Sequence, residues 1–536
     1  MAHAAAGWAF LLAVLCARGQ GQEDPPAIVR AIREETVRPD RGPGGRPLPL
    51  AGHWNRGDRP EGFSPAWQIE SIRRGNPLLP WFTFPPVQAD AAGRLPYYEA
   101  ALRTFAEWKV PITLVGTQWD ASLYGEDRFR NLPPDRNPNW VDETGKVRKK
   151  LSPFGPVEPW VDVGRFWTDT PLMRKLQELY PDPPRVIFLS NNEAGQLRWH
   201  EAEKSRRYLE AHGKGKDDDF KRRVTGDGWI ERYRAMQRGM REGLVREAWR
   251  KNARFVGYDA FGPAHLGRWG GWPEYSLHCK GRIAPDPLMW DGGSPSYYTH
   301  DWNPSTDYRV WSPQVESMNW VFMIEEARRL NPDFWFEFSV WDGDLTEKKG
   351  KIDAYLKAGQ AFTPERYRGF CQFGLWLLTP RLVREFRGYL DTRERIGARF
   401  EALVAAVRLV HEDPVLARFW RTSGLVPNGA HPHPYQSDVP AEWAARERWF
   451  LLDTNLDPPR PWKAETELPV FALARVAEEA GRKEWLVYAH SPLGDRAAVE
   501  VTVPGRGAVR MDVSVGGSFA WVTEKGTTPV GRPGPR

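Results

Sequence analysis

Two carboxylates carry the chemistry that this sequence offers most plainly. The stretch RVIFLSNNEAG, Arg185 to Gly195, is an apolar run of strand character that stops abruptly at Asn192 and Glu193. A strand that delivers an acid at its end suits a barrel, where functional groups gather at the C-terminal ends of strands. A second carboxylate, Glu337, lies 144 residues further on within DFWFEFSVWDG, among Phe and Trp. An unpaired carboxylate in such company is costly, so a functional role is favoured. Two carboxyl groups brought close together push their pKa values apart, so one site holds an acid and a base at once.

The elements needed to position such a pair recur along the chain. YYEAALRTFAEWKV has apolar residues at helical spacing and PITLVGTQWD follows as a strand; PLMRKLQELY is a helix before the Glu193 strand, and a long helix through WIERYRAMQRGMREGLVREAWR precedes ARFVGYDAFG. Strand, helix, strand is the beginning of a βα repeat. Strands are expected at 77–85, 111–117, 151–157, 185–190, 253–258, 295–299, 333–339 and 369–377, with RLVREF as a closing helix. Eight such units predict an α/β fold, a (β/α)8 TIM barrel, over 76–412. A doubly wound open sheet is the competing architecture, and no Gly-rich nucleotide fingerprint follows any strand.

The flanks read differently. Residues 1–21 contain a short apolar run before small residues and read as a signal peptide, which predicts a secreted or periplasmic protein; no later stretch is long and apolar enough to span a membrane. Residues 22–75, rich in Pro, Gly and Arg, are expected to be an irregular extension. After a connector at 413–464, the alternating stretches of 465–525 predict a small antiparallel β-sandwich packed on the barrel, and 526–536 a tail.

At this point the sequence resembles the large superfamily of retaining glycoside hydrolases with a (β/α)8 barrel, clan A, over about Pro77 to Arg387. The resemblance rests on Asn192-Glu193 after a fourth strand, Glu337 on a seventh, and Trp376 in FGLWLL, matching an aromatic residue after strand eight. It implies Glu193 as general acid/base, Glu337 as nucleophile, Asn192 as ligand of the sugar 2-hydroxyl, and Tyr298 or His300 as a group that holds Glu337. A retaining enzyme places the two carboxyls roughly 5 to 5.5 Å apart. Gln118, Trp119 and Asp120 end the second strand of this count and are candidate sugar ligands, Asp259 after the fifth is an alternative carboxylate, and Glu158 is a weaker one. Asp342 and Asp344 are rivals for the nucleophile's role.

Composition agrees with a carbohydrate partner. The chain has 27 Trp, 16 Tyr and 25 Phe, many beside Gly, Pro, Asp or Asn where loops are expected, and a flat indole face suits stacking on a sugar ring. Trp119, Trp269, Trp272, Trp302 and Trp341 are the expected subsite platforms. A formal charge of +6 spread among acidic residues gives no footprint for nucleic acid. It is compatible with an acidic or sulfated glycan, which Arg198 and Arg268 are placed to read. His431 and His433 lack a carboxylate at ligand spacing, so no metal and no cofactor is expected. After the signal, Cys279 and Cys371 remain, either bridged or as two separate thiols. Two other readings stand beside the hydrolase: a non-catalytic glycan-binding protein on a degenerate barrel, and an inverting hydrolase pairing Glu193 with an Asp such as Asp342 or Asp259.

Overall fold

The computed structural model describes residues 25–54, 62–85, 91–117, 119–191, 195–258, 289–298, 314, 317, 321, 324–325, 327–341, 363–386, 393–426, 452–453 and 470–531. Eight parallel strands form one sheet: β1 (Leu50–His53), β2 (Trp81–Thr83), β3 (Ile112–Thr117), β4 (Val186–Asn191), β5 (Ala253–Tyr258), β6 (Gly292–Ser294 and Ser296–Tyr298, interrupted at Pro295), β7 (Trp335–Trp341) and β8 (Leu382–Glu385). From β2 onward each pairs with its successor, and β8 returns to β1 with Leu50 opposite Leu382. The seam between β1 and β2 is bridged at Ala51 and Leu78, whose flanking amides bond at 2.9 Å on either side. The expected (β/α)8 barrel is therefore the observed fold, and closure leaves its parallel strands no free edge.

Two expected strands differ. Residues 151–157 contribute no barrel strand: Val147–Leu151 pairs antiparallel with Asn139–Val141 as an excursion. Residues 369–377 lie within the helix Pro364–Leu378, while RLVREF, expected as a helix, supplies β8. Thr363 caps that helix by accepting from the Arg366 amide, with Pro364 in its first turn, where a missing N–H costs nothing. The 22–75 region is also ordered, with helices Ala27–Val37 and Pro65–Arg73 on either side of β1. The missed first strand and the surplus third offset each other, so Asn192-Glu193 still follows strand four and Glu337 still lies in strand seven.

The helices cover the barrel through close backbone approach and half-buried ion pairs. Asp218–Gly243 lies against Glu158–Thr168, with Gly239 facing the Val161 carbonyl and Gly164 facing Met236. Asp291 ties the long helix to the sheet, accepting from Arg234 at 2.9 Å, Arg241 at 2.5 Å and the Phe255 amide at 3.1 Å.

The C-terminal unit is the expected antiparallel sandwich. Its larger sheet contains β9 (Phe471–Glu479), β10 (Arg482–His490), β13 (Ser518–Thr523) and β14 (Gly526–Val530), with Gly424–Leu425 on the edge. The hairpin β11 (Arg496–Val503) and β12 (Gly507–Val513) supplies the second layer, and Val501, Val509 and Met511 meet Ala474, Val487 and Val522 in a separate core. The sheet's other face meets the barrel helices through Phe519 on Trp376 and Phe471 on Phe373. β14 runs into the expected tail, and the helix Pro414–Thr422 into the expected connector.

Because a Cβ at Gly239 would collide with a carbonyl rather than a movable side chain, Gly239→Ala is expected to cost about 1–3 kcal/mol, the usual penalty of overpacking. Urea denaturation measures it; an unchanged midpoint would show that the two helices do not need this approach.

Candidate active site

The C-terminal ends of five strands converge on an aromatic floor. Trp54 follows β1, Tyr258, Tyr298 and Trp341 end β5, β6 and β7, and Phe386 follows β8. Phe386 lies parallel to Tyr258 at 6.1 Å and packs on Tyr298 at 4.7 Å; Trp54 meets Tyr258 edge-on at 5.1 Å, and Tyr298 meets Trp341 at 5.7 Å. Hydroxyls lock the floor to the barrel: the Trp54 indole donates to Ser339 at 2.8 Å, and Ser296 bonds the Tyr258 hydroxyl at 3.0 Å. These are large apolar faces with polar edges, the composition that suits a sugar pocket.

Below this floor lies Glu337. It is the third residue of the seven in β7, fully buried, and four residues short of the strand end, or about 13 Å at ~3.3 Å per residue. Its carboxylate is held on both oxygens: Arg384 Nε donates to Oε1 at 2.5 Å, Arg384 Nη2 to Oε2 at 3.2 Å, and Trp335 Nε1 to Oε2 at 2.8 Å. Arg384 also reaches Thr113 Oγ1 at 3.3 Å, so one guanidinium links β8 to β7 and to β3 across the barrel. A Cβ at Gly52 on β1 would meet Leu382 Cδ1 at 3.2 Å and Arg384 Nη1 at 3.4 Å, so the leucine is its nearer neighbour. Tyr298, expected to hold Glu337, instead stacks in the floor.

A second buried network stands beside β4. Tyr233 donates to Asp120 Oδ2 at 2.7 Å, and the Gln196 amide donates to the Tyr233 hydroxyl. Burial pushes the Asp120 carboxyl up to about 6, against the opposing hydrogen bonds of Tyr233 and Gln196. Gly195 and Leu197 exchange backbone bonds with Leu151 at 2.8 and 2.9 Å, and the Gly195 amide reaches the Tyr124 hydroxyl at 3.4 Å. On the other side Asn191 is paired in register with Thr117 and Tyr258. The chain is thus fixed immediately before and after residues 192–194.

Asn192, Glu193, Gln118, Asp259 and His300 lie outside the described residues, as do Trp269, Trp272, Trp302, Arg268, Asp342, Asp344, Cys279, His431 and His433. Of the remaining expected ligands, Trp341 belongs to the aromatic floor. Trp119 is fully buried behind the sheet against Phe84, Phe188 and Phe255, and Asp120 faces Tyr233 on the helix layer. Trp376 ends no strand: it is buried on the helix Pro364–Leu378, 5.3 Å from both Trp420 and Phe519. Glu158 opens an outer helix at an exposed position, and Arg198 precedes a short 3-10 turn. Cys371 is buried on the same helix as Trp376. Sequence reasoning missed Arg384, Trp54, Tyr258 and Phe386. The break at Thr379-Pro380 is the signal that a new element, the one carrying Arg384 and Phe386, begins at RLVREF.

Among the described residues no group of three metal-ligating side chains occurs and no helix is long and apolar enough to cross a membrane. No family model matches the chain, and no curated protein matches it. Two solved structures are similar in outline. One is an engineered protein, with 11% identity and a TM-score of 0.36 over 95% of this chain and 96% of that one. The other is an agarase, with 11% identity and a TM-score of 0.32 over 69% of this chain and 60% of that one.

Two outcomes follow from the buried carboxylates. Glu337→Gln leaves the Arg384 charge in the barrel without a counter-ion and is expected to cost about 3–5 kcal/mol in chemical denaturation; a loss within experimental error would mean the pair contributes nothing to the fold. For Asp120 the folded pKa lies above the unfolded value, so between about pH 4 and 6 the folded state holds more protons and stability falls as pH rises. Asp120→Asn removes that slope, and its stability relative to the wild type should grow by up to about 3 kcal/mol from pH 4 to pH 7. Parallel pH profiles for the two proteins would show that Asp120 does not titrate in this range.

Proposed function

We propose that the protein is a glycoside hydrolase that cleaves a poly- or oligosaccharide at the barrel mouth, with Glu193 as the proton donor and Asn192 as a sugar ligand. The observation that carries this reading is the end of β4: the strand closes at Asn191 beside the aromatic floor, so the Asn192-Glu193 pair is the next stretch of chain, and Gly195 to Leu197 beyond it are tied down. A proton donor must be held steadily against the leaving oxygen, and anchored flanks serve that need.

The second carboxylate has two readings. As nucleophile in a double displacement, Glu337 would form a covalent glycosyl-enzyme intermediate that water then hydrolyses with Glu193 acting as base. Its burial and its three hydrogen bonds favour the other reading, in which Glu337 is a structural anion and the partner of Glu193 comes from the residues that follow a strand. Asp342, the first residue after β7, and Asp259, the first after β5, meet that condition. That arrangement corresponds to inversion, with carboxyls roughly 6.5 to 9.5 Å apart and a water between them.

The substrate in this proposal is a glycan, acidic or sulfated ones included, and the N-terminal residues support export of the chain. The test begins with a panel of neutral, acidic and sulfated polysaccharides and activated aryl glycosides. Glu193→Gln should reduce turnover of the substrate found by about 10²–10⁴-fold without lowering Tm; undiminished turnover rejects the proton-donor role, and binding without turnover across the panel identifies a glycan-binding protein instead. Proton NMR of the first-formed anomer separates retention from inversion. Azide rescue of a Glu337→Ala variant, yielding a glycosyl azide, would assign Glu337 as nucleophile, whereas an inverted product together with a Tm loss in Glu337→Gln assigns it to the scaffold.

A further inference from the structure

The face of the barrel opposite the mouth carries a second polar cavity. It has a volume of about 230 Å³ and lies where the N-terminal segment, the end of the helix before β8 and the first strand of the sandwich meet. Its charged walls are Asp40, Glu325, Arg41, Arg46, Arg328 and Arg475, four cations to two carboxylates. Asp40 is nearly inaccessible and already engaged twice, with Arg328 Nε at 3.0 Å from one oxygen and Arg381 Nη2 at 3.1 Å from the other. Arg46 and Arg475 have neutral partners only among the described residues. Arg475, almost wholly buried in β9, donates to the Trp376 carbonyl at 2.7 Å, the Ser423 hydroxyl at 3.0 Å and the Ser423 carbonyl at 3.1 Å. Arg46 donates to the Trp420 carbonyl at 2.6 Å and weakly to Ser423 at 3.4 Å.

Carbonyls satisfy the N–H groups but leave the charge uncompensated. Desolvating a guanidinium is costly unless an anion offsets it. Burial, followed by the repulsion of Arg328 and against the attraction of Asp40, brings Arg46 down to about 10, and burial with Arg46 and Arg328 nearby holds Arg475 well below the usual arginine range. Guanidinium groups lining one cavity suit the oxygens of a tetrahedral anion.

We infer that this cavity is a binding site for a small oxyanion, a phosphate or sulfate group, which Arg46 and Arg475 hold between the barrel and the β-sandwich. The occupied site joins three parts of the chain and stabilises their junction; it is remote from the mouth and independent of the chemistry proposed there. The anion's source is either a free inorganic ion or the ester group of a sulfated monosaccharide, and about 230 Å³ admits either.

Thermal unfolding and calorimetric titration of the full chain test this with inorganic phosphate, inorganic sulfate and a sulfated monosaccharide, each against sodium chloride of equal ionic strength. The expected result is a saturable rise in Tm with at least one of the three, beyond the chloride control, and affinity at least about tenfold weaker in Arg46→Met. Arg103→Gln, an exposed helix pair far from the cavity, should bind as the wild type does. A second variant covers the case in which Arg46→Met fails to fold. Gly424 borders the cavity and a Cβ there meets nothing within 4 Å, so Gly424→Asp can supply a carboxylate; it should raise Tm without added anion and abolish the anion response. A Tm that follows ionic strength alone for all three anions, or an anion response unchanged in both variants, overturns the inference.

Discussion

The Glu337–Arg384 pair is the constraint around which the barrel is built. Both side chains are wholly enclosed, and neither charge is tolerable there alone. Several features of neighbouring strands make sense only as accommodation of this pair. Thr113 on β3 offers the guanidinium a hydroxyl, and Trp335, two residues before Glu337, turns its indole N–H onto the carboxylate. An ion pair with so many directional partners is compatible with few strand registers. A one-residue slip of β7 would turn Glu337 outward and leave Arg384 without a counter-ion. Its contribution to specifying the register therefore exceeds what a buried pair adds to stability.

That constraint divides the barrel into levels with separate duties. At mid-height the polar groups face one another, with Arg384 bonded to Glu337 and Thr113 through Nε and Nη2. Above them the aromatic floor of Trp54, Tyr258, Tyr298, Trp341 and Phe386 separates the ion pair from the mouth. In the proposed function the groups that carry chemistry come from residues beyond the strand ends, which is the general arrangement of this fold. The Asp120–Tyr233–Gln196 network belongs to this upper level. It lies on the helix side of the sheet, and it holds the chain where β4 turns back toward the excursion at Leu151.

Much of this organisation was legible in the sequence, and the exceptions have physical causes. β4 and β7 are strong apolar runs buried on both faces, and they read correctly. β1 is four residues long, LAGH, and contains a glycine, so no local pattern marks it as a strand. The helix Pro364–Leu378 is buried almost all round between barrel and sandwich, and it therefore lacks a polar stripe and imitates a core strand. Only its Thr363-Pro364 start distinguishes it. Trp119 and Trp376 show the same limit for single residues. A tryptophan near a turn reads as a sugar platform, yet one is packed behind the sheet and the other at the domain junction, and burial of that kind is settled by tertiary context.

The two arginine sites obey one rule with different outcomes. Inside the barrel, Arg384 has a carboxylate of its own, and the unit is neutral and closed. At the base of the barrel, Asp40 is shared between Arg328 and Arg381, so Arg46 and Arg475 keep their charge beside open space. A site meant only to hold the sandwich on the barrel has no need of that excess, because Trp376, Trp420 and Phe519 already supply the apolar contact. Arginines that are buried, carbonyl-bonded and short of a counter-ion are arranged to leave charge available at the cavity. The difference between the two sites is thus whether the nearest carboxylate belongs to one arginine or is shared by others.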